Sequence, residues 1–105
     1  MKKIIFSLVS GLLISSGASA YVDCPTSKVK YIQPDKDWVY IMLEGQDWQR
    51  LGDYNEPSLD AKLSIALAAF ASGKRVKIRF PDGHNASCSE FNQTTNALAI
   101  RIVHE

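Results

Sequence analysis

The stretch FPDGHNASCSEF, residues 80–91, brings Asp82, His84, Ser87, Cys88 and Glu90 into one short loop. Those residue types suit nucleophilic chemistry, with Ser87 or Cys88 attacking, His84 as base and Asp82 orienting the base. The spacing argues against it. Nucleophile, base and orienting group must hydrogen-bond in sequence, and working triads draw their members from separated elements. The chain has no G-x-S-x-G, C-x-x-C or H-E-x-x-H pattern. An oxidised Cys88 would offer no thiolate, and the thiolate is the nucleophile. A metal site would require His84, His104 and one or two carboxylates to converge, and two histidines without ligand spacing do not predict that. The sequence is therefore read as non-enzymatic, with no cofactor expected.

The chain opens with MKKIIFSLVSGLLISSGASA. Lys2 and Lys3 form a basic start, Ile4 to Ile14 are mostly apolar, and Ala18-Ser19-Ala20 is a cleavage-type tripeptide. This predicts a secretory signal peptide over 1–20 and a secreted or periplasmic domain over 21–105. The apolar run is too short to span a membrane. Without Lys2 and Lys3 the twelve basic residues fall to ten against eleven acidic ones, a net charge of about −1. That balance leaves no basic footprint for nucleic acid. Trp38, Tyr40 and Trp48 have the ring types that stack bases, and Arg75, Lys77 and Arg79 form a basic row. An exported, nearly neutral domain nevertheless argues against nucleic acid as partner.

A domain this small is marginal without a covalent or oligomeric aid. Cys24 and Cys88 are the two cysteines, and in an oxidising compartment an even pair predicts a disulfide. The sequons NAS (85–87) and NQT (92–94) are read as incidental polar loop sequence.

The elements that must position this loop follow from periodicity. SKVKYIQ (27–33) alternates, with Val29 and Tyr31 expected inward. WVYIMLE (38–44) is a dense apolar strand ended by Gly45, and DWQRL (47–51) is its hairpin partner. Leu59, Leu63, Ala66, Leu67 and Phe70 fall at helical spacing, with Pro57 near the start and Gly73 at the stop. KRVKIRF (74–80) alternates Val76, Ile78 and Phe80 inward, and Phe91 is expected to return to the core. NALAIRIV (96–103) closes the domain with Leu98, Ile100 and Ile102 inward. The order β-β-β-α-β-β predicts a mostly β fold with one helix, a five-stranded OB-fold barrel.

SLDAKLSIALAAFASGKRVKIRF followed by F..TTNALAIRI resembles the B subunits of subtilase-cytotoxin and pertussis-like AB5 toxins. The matching residues are Phe70, Gly73, Val76, Ile78, Phe91, Asn96, Ala97 and Leu98, and SKVKYI…VYIMLEG is similar to that family's first two strands. The family's second-strand cysteine has no counterpart in VYIML. The resemblance implies an OB barrel and a ring-forming subunit, usually a pentamer, that binds sialylated host glycans or glycoproteins beside a catalytic A subunit. It places a sugar-binding serine on Ser27 and a nearby aspartate on Asp23. Lys28 or Lys30 would face an acidic sugar, and His84 and Asn85, in the loop before the last strand where OB folds often place binding loops, would add contacts. Ala97, Ala99, Arg101 and Val103 on the last strand, and Ala61, Ile65, Ala68 and Ser72 on the helix, are the expected contacts of a homo-oligomer. The alternative reading is a small exported protein-binding or inhibitor protein without glycan activity.

Overall fold

In the computed structural model residues 20–104 are described; the stretch expected as a leader, 1–19, lies outside the described residues, as does Glu105. The chain runs β1 (Tyr21–Asp23), β2 (Ser27–Pro34), β3 (Trp38–Leu43), β4 (Gln49–Asp53), α1 (Leu59–Ser72), β5 (Arg75–Pro81) and β6 (Ala99–Ile102). All pairings are antiparallel. The result is a β-rich fold with one helix and a six-stranded antiparallel sheet, ordered β1-β5-β2-β3-β4 with β6 on the other side of β5.

β1 and β2 lie along the same side of β5, β1 against residues 79–81 and β2 against residues 75 and 76. Between them the Cys24 N–H bonds the Ile78 carbonyl at 2.8 Å. Pro25 has no N–H to continue the ladder. β4 and β6 share no ladder among the described residues, so the sheet does not close into a barrel. One backbone bond, Ala97 N–H to the Arg50 carbonyl at 3.1 Å, spans the seam.

The β5 alternation is as expected, with Val76, Ile78 and Phe80 fully buried. They meet Val39, Ile41 and Leu43 from β3, Leu51 from β4 and the inner face of the helix. Three expectations about facing change. In β2 a bulge between Val29 and Tyr31 sets Val29 opposite Leu43 and Tyr31 opposite Met42. The extra residue, Lys30, reverses the alternation. Val29 stays in the core, Ile32 packs against it, and Tyr31 is 51% exposed. At the far end of the chain Ala97 is buried and Leu98 exposed, because the seam bond holds Ala97 inward two residues before β6 begins. Phe91 is also exposed, its ring against Tyr40 on the outer face of β3 and its loop tied by the Asn92 N–H to the Trp48 carbonyl just before β4.

The helix presents Leu59, Lys62, Ala66 and Ala69 to the sheet, with Leu63 at the margin. Leu67 and Phe70, expected in the core, are exposed. The cause is Lys62, whose ammonium bonds both Glu56 carboxylate oxygens at 2.9 Å and the Ala97 carbonyl at 2.6 Å. Seating that side chain inward rotates the helix, and alanines at 66 and 69 let it approach closely. Gly52 completes the fit: a Cβ there would collide with the Glu56 carboxylate and crowd Leu59 and Lys62. Gly73, at φ 69, ends the helix in the left-handed conformation that glycine adopts without a Cβ penalty.

Candidate functional site

The loop between β5 and β6 is organised around one disulfide and one glutamine. Cys24 and Cys88 are bonded, with Cα atoms 5.6 Å apart. Both cysteines are fully buried, so the bond ties the loop to the β1–β2 junction. Cys88 sits at φ 53, a conformation few non-glycine residues adopt, and the tether holds it there.

Gln49, on β4 and 1% exposed, donates from its amide nitrogen to the carbonyls of Asp47, Cys88 and Glu90 at 3.4, 3.2 and 3.1 Å. Those three acceptors fix the amide, so Oε1 must accept, and His84 Nε2 donates to it at 3.0 Å. The imidazole also stacks on Phe80, ring centroids 3.9 Å apart. Its partial burial pushes its pKa below the ordinary value of 6.5, with Glu90 opposing the shift. His84 is therefore neutral at neutral pH.

Asn92, 8% exposed, builds the opposite wall. Its carbonyl oxygen accepts from the N–H groups of Thr94 and Thr95, and its amide donates to the Thr95 carbonyl at 2.8 Å. Arg50 fastens that wall to β4 through Asn96 Oδ1 at 2.7 Å and the Gln93 carbonyl at 3.1 Å, and it also pairs with Asp53. A hydrogen bond from Asn96, with help from Asn55 and Arg50, holds the Asp53 carboxyl below its usual range. Between the two walls lies an open groove of about 530 Å³, lined by residues 81–85 and 90–95. His84 and Asn85 stand on one side, and Phe91, Gln93, Thr94 and Thr95 on the other.

Phe91 also borders a second depression of about 190 Å³, with Gln33, Tyr40 and Trp48. This one belongs to the outer face of β2–β3–β4. Tyr31 stacks on Trp48 at 5.7 Å, Tyr40 meets Trp48 at 6.1 Å, and Phe91 meets Tyr40 at 5.6 Å. Trp38 joins edge-on to Tyr40, with the Arg50 guanidinium 4.2 Å from its ring centroid. Five aromatic rings thus form a continuous platform that ends at the polar groove.

The expected sugar-contacting residues are divided. His84 and Asn85 line the groove; Asp23, Ser27 and Lys28 do not. Asp23 is paired with Arg79 at 2.9 and 3.4 Å, and that hydrogen-bonded pairing holds its carboxyl below the ordinary range. Ser27 donates to the Glu44 carbonyl at 2.8 Å, closing the β2–β3 pair. Lys28 is exposed on β2 opposite Arg75. The nucleophile arrangement is not assembled. Ser87 bonds Asn85 at 2.6 Å and Ser89 at 2.7 Å, while His84 bonds Gln49. Ligand-type atoms of Cys24, Cys88 and His84 lie within 4.8 Å of one another, but the two sulfurs are joined to each other and carry no thiolate.

The sequence singles out Trp38, Tyr40 and Trp48 as stacking rings but not Tyr31 or Phe91, which pattern alone assigns to the core. Gln49 and Arg50 carry no motif signal. Among the described residues no helix is long and apolar enough to cross a membrane. No family model, curated protein or solved structure matches the chain.

Proposed function

We propose that the chain is an exported, non-enzymatic glycan-binding module, with the aromatic platform and the adjoining loop groove as its sugar site. One observation carries the reading: Phe91, an exposed ring, stands where the aromatic depression meets the polar groove. A sugar ring offers polarised C–H bonds on one face and hydroxyls around its rim. The negative face of an aromatic ring attracts the first, while fixed amide, hydroxyl and imidazole groups hydrogen-bond the second. Both surfaces are adjacent here, and the tethered loop orders them before any ligand arrives. Asp82 and Glu90 line the groove and no cation does, so its own chemistry favours a neutral sugar. A sialylated glycan, as the toxin resemblance implies, would have to extend past the groove along β5, first to Asp23 opposite Arg79 and then to Ser27 and Lys28 opposite Val76 and Arg75.

An OB-type barrel is the architecture this reading adopts. Counting β1 and β2 as one strand interrupted at Pro25 gives five strands, and the Ala97–Arg50 bond lies where a barrel seam would. Export is supported by the basic-apolar-AxA start and by the disulfide. Exposed Ile65, Leu67 and Phe70 on α1 support self-association, a pentamer with a catalytic partner subunit in the toxin-like case. A strict monomer by native mass measurement at micromolar concentration would remove the ring.

The functional test is a glycan array probed with the oxidised protein and with Phe91→Ala. Binding of one sugar class by the native protein, at least tenfold weaker in the variant, is expected. A blank array from folded protein would defeat the reading and favour the protein-binding alternative.

A further inference from the structure

We propose a second binding site on the outer face of β5 and β6, one that takes a doubly charged oxyanion group, sulfate or phosphate. Its starting point is an arrangement that costs stability. Lys77 on β5 lies directly opposite Arg101 on β6, and like charges facing each other across a strand pair repel. Neither side chain makes a direct hydrogen bond or close ion pair among the described residues; both attract the Asp23 carboxylate only at longer range. The neighbouring pair of positions adds Arg79, whose Nε and one Nη grip Asp23 while its other Nη is unused by that pair. Arg79 is held flat, its guanidinium carbon 3.7 Å from the Tyr21 ring centroid. Together Asp23, Lys77, Arg79 and Arg101, with Ala99 and Ile100 as the floor, enclose a concavity of about 170 Å³.

Three cations against one carboxylate leave a net charge of +2 around that space. The carboxylate is already neutralised by the fork of Arg79, so the unspent charge belongs to Lys77 and Arg101. A tetrahedral dianion between them would turn the cross-strand repulsion into two charge-assisted hydrogen bonds, with a third available from Arg79. A monovalent carboxylate could bridge both but would neutralise only half of the net charge. The concavity shares no lining residue with the loop groove, so the site stands whether or not the glycan reading does.

The test follows backbone amide chemical shifts during titration with sodium sulfate, and separately with inorganic phosphate, against sodium chloride at equal ionic strength. Saturable shifts centred on residues 77, 79 and 99–101 are expected with both dianions and not with chloride. Lys77→Ala and Arg101→Ala should each weaken that binding about tenfold, and both should raise the melting temperature in the absence of dianion by relieving the repulsion. Phe91→Ala should leave the titration unchanged. A sugar phosphomonoester and vesicles containing a lipid with a terminal phosphomonoester headgroup, each competed with inorganic sulfate, then distinguish the sources of the group. Shifts that fail to saturate, that follow chloride equally, or that persist in both variants overturn the proposal.

Discussion

Removing the disulfide by a Cys24→Ala/Cys88→Ala double substitution should cost the domain about 4 kcal/mol. The bond joins residues 64 apart in sequence, and on the chain-entropy account closing a loop of that size restricts the unfolded ensemble by roughly that amount. The native contacts of the loop survive the change. Asp47 N–H still reaches the Cys88 carbonyl at 3.0 Å and Asn92 N–H still reaches the Trp48 carbonyl at 3.0 Å, so the loss should enter mainly through the unfolded state. For a domain of this size, whose total stability is of order 4–13 kcal/mol, that is a large fraction, and the melting temperature should fall by about 15–30 °C. Guanidinium unfolding of the native oxidised protein and the double variant measures the difference, with a steeper slope expected for the variant because its unfolded chain is less compact. Alanine is the right replacement because both positions are fully buried and a serine would add an unpaired hydroxyl. A loss below about 1 kcal/mol would refute the reasoning, because the bond would then constrain nothing that the hydrogen bonds do not already hold.

Glu56→Ala should destabilise the domain by about 3 kcal/mol in urea unfolding, because it leaves the Lys62 ammonium, 5% exposed, with only the Ala97 carbonyl. Adding Lys62→Met should recover most of that loss. Gln49→Leu keeps the volume but strips His84 and the Asp47 and Glu90 carbonyls of this partner and leaves the Cys88 carbonyl with the Asp47 N–H, costing about 1–3 kcal/mol and accelerating amide exchange across residues 84–90. His84 gives a pH signature. Its folded pKa lies below the unfolded 6.5, so between the two values the unfolded chain binds more protons. Stability should be full above pH 6.5 and fall as the pH drops through the folded value. His84→Gln should flatten that slope in melting temperatures measured from pH 7.5 to 5.

Much of the element order was legible, and the facing of the side chains less so. Val76, Ile78 and Phe80 announce their face because β5 is regular. In β2 one inserted residue, Lys30, inverts everything after it, and no propensity marks where a bulge will fall. The helix misleads for a different reason. Lysine is rarely buried, so the stripe of leucines and Phe70 reads as the core face, whereas Lys62 lies inside, held by Glu56. The disulfide was legible from the cysteine count and the expected oxidising compartment. His84 and Asn85 were legible as loop residues, yet the partners that fix the loop, Gln49 and Arg50, are ordinary strand residues whose role exists only in three dimensions. Tyr31 and Phe91 belong to the site because the same bulge and the same tethered loop turn them outward.

The most direct test of the account is a titration of the native oxidised protein with the strongest ligand from the array, followed by aromatic and amide NMR shifts. The account predicts saturable changes at Tyr40, Trp48, Phe91, His84 and residues 93–95 together, and their loss in Phe91→Ala with the melting temperature unchanged. Changes confined to Asp23, Ser27 and Lys28, or binding that survives Phe91→Ala, would contradict it.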